Sequence, residues 1–327
     1  MSGAGGVALV AGASRGLGLV LSTELARRGY TVHGCARDRA ELDRARTLVL
    51  ERSGRAEGGG SAVFVPAVCD VRDADAVQAW VEQVIADEGR IDIAIRVAGI
   101  IQVGPLESTT LGHFRDAVDT MLMGPVHLAL AVLPSMRERS YGRIGIVSSV
   151  GGLVAVPHLL PYTVAKFGAT GLAEGLHAEL QGTGVTATAV TPGLMRTGGH
   201  WAAQFAGDAT EDYAWFAPGA SLPVLSIDAD RAARRIADGV IAGKPTVELT
   251  PLTMIGRRVH GLAPATTTRV MGLIGRALPE GPDRGPSMSS ERPQIDGATA
   301  RRRLASRVVD TLSTLGDRAA RRNNESG

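Results

Sequence analysis

The segment Tyr162-Thr163-Val164-Ala165-Lys166 sets a phenol and an ammonium four residues apart, in a chain whose only lysines are Lys166 and Lys244. Where arginine is the habitual cation, a lysine beside a tyrosine suggests a need for a compact point charge rather than a guanidinium fork. On a helix, positions i and i+4 share a face with Cβ atoms about 5–6 Å apart, so the two groups can meet. A neighbouring cation favours phenolate and draws a hydroxyl whose ordinary pKa is about 10 toward the range useful for proton exchange at neutral pH. Tyr162 is thereby a candidate general acid/base. A solvated helix face would carry the same spacing by accident, so the pair needs support from the rest of the chain.

A second constellation lies near the N-terminus, where the apolar run Val7–Ala11 leads directly into Gly12-Ala13-Ser14-Arg15-Gly16-Leu17-Gly18 and a helical pattern. Glycines in such a strand-to-helix turn let the backbone approach a pyrophosphate, and the helix N-terminus offers unpaired N–H groups and partial positive charge. At the end of the second apolar run, where a carboxylate would hold a ribose 2′-hydroxyl, stand Ala36 and Arg37. Arg37 with Arg15 suits a 2′-phosphate, which points to NADP rather than NAD, although Asp38 next door keeps NAD open. Asp70 and Val71 follow the third run and are placed to border an adenine; Asp70 could equally be a helix cap.

The elements that must position these groups alternate strictly. Strands are expected at Val7–Ala11, Thr31–Ala36, Ala62–Val68, Ile91–Ala98, Ile144–Ser148, Thr186–Val190 and Thr246–Leu249, with helical patterns between them. Their continuous apolar character implies cover on both faces, as in a doubly wound parallel α/β sheet of Rossmann type. Residues 1–250 would form the nucleotide-binding catalytic domain, 251–279 an amphipathic helical extension, 280–297 a flexible linker and 298–327 a basic amphipathic helical tail. In that tail Leu304, Val308, Val309, Leu312 and Leu315 recur at helical spacing, which leaves three destinations open: a membrane surface, a partner, or the core.

Composition narrows the classes. With 44% hydrophobic and 21% charged residues and a net charge of +2, the chain is globular in composition. Its basic residues are scattered through the first 250 positions rather than gathered with aromatics, so nucleic acid is not an implied partner. No apolar stretch reads as long enough for export or membrane spanning, and a cytoplasmic location, with peripheral membrane contact through the C-terminal helices left open, is expected. Cys35 and Cys69 read as small core residues, and no metal-ligand spacing is present.

Taken together these motifs resemble the classical short-chain dehydrogenase/reductase family over roughly residues 5–250. The resemblance implies a catalytic triplet of Ser149, Tyr162 and Lys166, with the serine binding the substrate oxygen and the lysine also holding the nicotinamide ribose. It implies that Ala98 and Gly99 pass close to the cofactor and that Pro192, Gly193 and Thr197, in Pro192-Gly193-Leu194-Met195-Arg196-Thr197, hold the nicotinamide amide. Two positions depart from the pattern. Arg96-Val97 replaces the asparagine pair before Ala98-Gly99, so local support must differ, and Met121 stands where the family has a fourth catalytic residue, an asparagine. The implied activity is hydride transfer between NADP(H) and a hydrophobic ketone, aldehyde or alcohol, in a homodimer or homotetramer. The alternatives are an NADP-binding sensor or scaffold with little turnover, and a lyase or epimerase with tightly held nucleotide. Substrate-facing segments are expected at Ile100–Leu106, Gly151–Pro161 and Leu194–Ser226. Trp201, Phe205, Tyr213, Trp215 and Phe216 in the last could form a hydrophobic lid or a surface for a partner copy or the tail.

Overall fold

A computed structural model describes residues 5–57, 59–222, 226–280, 285–289 and 293–325. Seven strands, β1 (Val7–Ala11), β2 (Thr31–Ala36), β3 (Val63–Val68), β4 (Ile93–Arg96), β5 (Gly142–Val147), β6 (Val185–Thr191) and β7 (Thr246–Glu248), form one parallel sheet in the order β3-β2-β1-β4-β5-β6-β7. All seven expected strands are present, with ends shifted by a few residues.

The apolar runs are explained by burial on both faces. In β1, Ala8 and Val10 enter a core with α1 (Gly16–Arg27), α2 (Arg39–Ser53) and α7 (Ala229–Ile241), while Val7, Leu9 and Ala11 enter another. That second core is built with α3 (Ala74–Glu88), α4 (Leu111–Glu138) and α5 (Leu160–Glu179), and holds both Cys35 and Cys69. Burial of apolar area on this scale is the main force holding the layers together. β3 departs from the expectation of two covered faces: it is the sheet edge, and Val63, Val65 and Val68 are exposed. Its Pro66 is tolerated there because an edge strand can spare a ladder donor.

By length and composition alone α4 could cross a membrane, contrary to the reading that no stretch is long enough. Its apolar residues are instead accounted for by the core, where Leu128, Val132 and Met136 are buried against the sheet. A π turn at Asp119–Met123 interrupts the helix.

After β7 the chain forms α8 (Pro251–Leu262) and α9 (Pro264–Gly275), and later α10 (Gly297–Leu304) and α11 (Arg307–Arg322). Part of the expected 280–297 linker, residues 281–284 and 290–292, lies outside the described residues. The rest is hydrogen-bonded: Ser287 bridges to Thr110, and Ile295–Asp296 pairs antiparallel with Gln204–Phe205. The tail goes to the core, only partly by the expected face: Leu304 and Val309 pack on it. Its buried residues include Ser313, Gly316, Asp317, Ala319 and Ala320, whereas Val308 is 68% exposed and Leu312 and Leu315 point partly to solvent. Small residues win the inner position because α11 packs at close range: a Cβ on Gly198 would strike Ala320, and one on Gly316 would strike Ser221.

α6 (Ala209–Ser221) receives this helix, and the aromatic segment is the floor beneath it. Phe205, Tyr213 and Phe216 are buried with Val103, Leu159 and Ala300, so the aromatics are a tail-contact core rather than a lid. Asp317 fastens the joint, accepting from His200 Nε2 (3.0 Å) and Trp201 Nε1 (2.9 Å) and pairing with Arg301 (3.0 Å). Burial opposes its ionisation, but these donors outweigh it and hold the carboxyl below its usual range. Asp317→Ala leaves the buried donors unpaired and is expected to cost about 2–4 kcal/mol in urea unfolding. A midpoint equal to that of the unaltered protein would show that α11 is not part of the cooperative unit.

Candidate active site

The strand order reverses between β1 and β4, which opens a crevice at their C-terminal ends where open α/β sheets bind ligands. One wall is the glycine turn. Gly12 N–H donates to the Cys35 carbonyl (2.8 Å) and its φ is 95°, while Val97 and Ala98 N–H groups donate to Ala11. A Cβ on Gly12 would stand 2.5 Å from Ala98, so glycine is required for the two loops to pass. Gly18 backs directly onto the Gly12 carbonyl, bringing the N-terminus of α1 into the turn. Residues Gly12, Ser14, Arg15, Gly16, Leu17, Gly18, Ala98 and Gly99 therefore lie around one turn.

The groups meant for the adenosine end are placed less uniformly. Arg37 is exposed at the end of β2, on the side of Asp70, whose carboxylate it helps to hold low. Asp70 itself is engaged by Arg72, with Nη2–Oδ2 at 2.7 Å, and this bond is the main cause of its lowered pKa. Asp70 is not the helix cap; Asp73 caps α3. Val71 is buried and its carbonyl faces His127 Nδ1 at 3.0 Å. Asp38, the residue that kept NAD open, caps α2 by accepting from Glu41 N–H at 2.8 Å. Arg15 faces Glu41 at 3.4 Å.

On the opposite wall, Ser149 follows β5, and Tyr162 and Lys166 project from the first turns of α5. Lys166 Nζ donates to the Val147 carbonyl (2.8 Å) and lies 5.6 Å from the centre of the Tyr162 ring. Ser149 lies beside Tyr162 and favours its ionised form, and Gly151, which donates to Ser149 Oγ at 3.2 Å, packs against the Tyr162 ring. The electrostatics differ from the expectation that the ammonium governs the phenol. Burial pushes the Tyr162 hydroxyl up, and the opposing influence is the Ser149 hydrogen bond. Lys166 is the more strongly affected group, brought down to about 7 by burial and by the Arg96 guanidinium.

Three features escaped the sequence reading. Arg96 is 2% exposed beneath the crevice, where it donates to the carbonyls of Ala98 and Thr120, and burial brings its own pKa down to about 10. It supplies the support that the missing asparagines would have given, tying the Ala98 loop to the π turn. An arginine inside the apolar run Ile91–Ala98 was the available signal. Ser148 Oγ bonds the Lys166 carbonyl (2.8 Å) and Thr170 Oγ1 (2.7 Å), which docks α5 on β5 and sets the height of Tyr162. Finally, Asn323–Glu325 reach the glycine turn, which no local pattern could indicate.

Met121 lies in the π turn and packs with Ala117, Ala165, Ile100 and Tyr162, its sulfur facing Gly99. Pro192 accepts from Val150 N–H (2.8 Å), Gly193 abuts Thr250, and Thr197 is buried near Gly199, so the third segment borders the same crevice. His158 and His200 are held by Asp212 (2.8 Å) and Asp317 (3.0 Å), which removes them as free contacts for a polar substrate end. A cavity of about 750 Å³ opens between the glycine turn and the tail, lined by Arg15, Trp201, Arg301 and Glu325 among others, and not over Tyr162.

The short chain dehydrogenase family model matches residues 6–204. A putative ketoacyl reductase of Streptomyces coelicolor is 34% identical over 58% of this chain and 71% of its own length. A 3-ketodihydrosphingosine reductase of Bacteroides thetaiotaomicron is 31% identical over 59% of this chain, which spans 65% of that relative's length. Among solved structures, a short-chain dehydrogenase from Streptomyces avermitilis superposes with a TM-score of 0.69 at 28% identity, covering 85% of this chain and 99% of that one. A single-residue variant of an actinorhodin polyketide ketoreductase, solved with NADPH, gives 0.65 at 26% identity over 77% of this chain and 99% of that one. With a matching motif set, sheet order and crevice, the chain is a member of the short-chain dehydrogenase family of oxidoreductases.

Proposed function

We propose that this oxidoreductase uses NADP(H) to interconvert a hydrophobic ketone or aldehyde, of ketoacyl type, with its alcohol. The observation that carries the reading is the meeting of Ser149, Tyr162 and Lys166 across a crevice from the Gly12–Gly18 cradle. Relatives named as ketoacyl reductases and a neighbour solved with NADPH support the substrate class and the cofactor. The cradle fits a dinucleotide: Gly12 leaves room no other residue would, and Arg15 and Arg37 would meet the 2′-phosphate. The bound nicotinamide would supply the hydride.

The chain's own residues handle the proton and the orientation. Ser149 and Tyr162 both point at the place where a carbonyl oxygen would gain negative charge, the serine as a hydrogen-bond donor and the tyrosine as the proton source. Lys166, held through the Val147 carbonyl, would take the ribose hydroxyls and add positive charge below the phenol when protonated. Arg96 acts indirectly, by keeping the Ala98 loop and the π turn in register. Ile101 and Val156, half-buried around Tyr162, would give the substrate side an apolar character. Leu130, Val164 and Phe167, exposed on α4 and α5, support association of copies.

Tyr162→Phe removes the proton source and is expected to lower turnover of an apolar ketone by about 100-fold or more, with NADPH affinity nearly unchanged. Saturable NADPH binding with no 340 nm oxidation across a panel of apolar carbonyls would favour the sensor reading instead. Arg37→Asp is expected to move the NADPH/NADH preference toward NADH, and an unchanged ratio of kcat/KM values would contradict the 2′-phosphate role. Lys166 is a buried ammonium with a depressed pKa, so its cost to folding is full below about pH 7 and vanishes as pH rises toward its unfolded value of 10.5. Lys166→Met should therefore be inactive yet more resistant to heat at neutral pH, with the gap in Tm closing as pH rises. A gap independent of pH would refute the assignment.

A further inference from the structure

The last helix ends on the glycine turn. After α11, Asn324 adopts a left-handed conformation (φ 60°), and Glu325 N–H donates back to the Ala320 carbonyl at 3.0 Å. This is a Schellman-type ending, with asparagine at the position glycine usually takes, and it reverses the chain within one residue. Three consecutive residues are thereby delivered to the site. Gly16 N–H, the first of α1, donates to the Asn323 carbonyl at 2.8 Å. Asn324 Nδ2 donates to the carbonyls of Ser14 (2.8 Å) and Glu41 (3.3 Å), and Arg44 Nε donates to Asn324 Oδ1 at 3.2 Å. The Glu325 carboxylate takes up the space over Gly16, with Oε2 3.6 Å from Arg15 Nε and the side chain only 8% exposed.

A carboxylate at the N-terminus of α1, beside Arg15, occupies the position that suits a phosphate oxyanion. Helix capping alone does not explain it. Arg15 provides no side-chain cap for α1, and the Asn323 carbonyl serves the Gly16 N–H, yet the chain also adds an acid there and buries it. That acid is badly accommodated. Glu325 Oε2 makes no hydrogen bond, and burial raises the carboxyl to about 7, with Arg15 opposing and the nearby Glu41 adding to the rise. A buried carboxylate with an unmatched oxygen is a weak ligand compared with a diphosphate that can use every donor of the turn.

We infer that Asn323–Glu325 are an intramolecular competitor for the dinucleotide site, so that cofactor binds only after the end of α11 has left the glycine turn. This rests on reading the turn as a dinucleotide-phosphate site. Occupied and free tails then form a two-state equilibrium in which the apparent cofactor affinity is reduced by the fraction of molecules with the tail released. The fastening upstream, at Asp317 and Ala320, lies outside the turn and need not open for residues 323–325 to swing away.

The full-length protein, a chain ending at Arg322 and the point variant Glu325→Arg, which sets a cation against Arg15, are titrated with NADPH by fluorescence. Both altered proteins are expected to bind about tenfold more tightly than the full chain. In the full-length protein, hydrogen exchange in residues 319–325 should quicken when NADPH saturates while residues 12–18 become protected. Equal dissociation constants in all three proteins would overturn the inference, as would slower exchange in 319–325, the mark of a flap closing over bound nucleotide. The point variant keeps the test intact should the shortened chain fold poorly. If no form binds NADPH or NADH, the reading of the site fails and the competitor with it; equal binding by all forms removes the competitor alone.

Discussion

A guanidinium buried with no carboxylate beside it is the constraint around which the crevice is arranged. Arg96 turns its two terminal nitrogens to backbone carbonyls, one from the loop after β4 and one from the π turn of α4, and so joins two segments that no sheet hydrogen bond could join. Such a charge is tolerated only where carbonyl dipoles converge on it, which fixes the positions of both loops closely. Its second effect is on Lys166. Two cations share one enclosed region, and the lysine, having the more readily released proton, absorbs the strain. Proton affinity at Lys166 is thus set first by burial and then from behind, by a guanidinium in the same enclosed region.

The fold was legible because its rules are local. Each strand buried on two faces writes a continuous apolar run, each run is followed by a helix, and parallel strands joined this way have few arrangements open to them. β3 was misjudged for the same reason: its valines look like those of β1, and only its place at the sheet edge makes them exposed. The glycine turn and the Tyr162–Lys166 pair are readable because spacing within one turn or helix determines what meets, whereas Ser149 comes only with the family resemblance. The sign of the electrostatics was not, since it depends on what surrounds a group. Tyr162 and Lys166 were correctly paired, but the desolvation they share and the presence of Arg96 exist only in three dimensions.

The tail shows the limit more sharply. Amphipathic spacing in 298–327 is real, yet of its large apolar side chains only Leu304 and Val309 pack on the core, while Val308, Leu312 and Leu315 stay exposed. Close approach to Gly198 and Ser221 selects Ala320 and Gly316, and a sequence pattern weighted by hydrophobicity ranks such residues low. The aromatic segment 201–216 looked like a substrate cover for a related reason, because its partner lies a hundred residues downstream. Phe205 and Tyr213 are buried beneath the C-terminal helices, and His200 and Trp201 both turn toward Asp317.

A helix whose inner face is serine, glycine and alanine hides little hydrocarbon from water. What keeps α11 in place is accordingly directional: one carboxylate gripped by an imidazole, an indole and a guanidinium. Oily surfaces slide and yield by degrees, whereas bonds of that kind either fit or release. The C-terminal arm is therefore built as a clasp on α6, held by matched donors or not held at all.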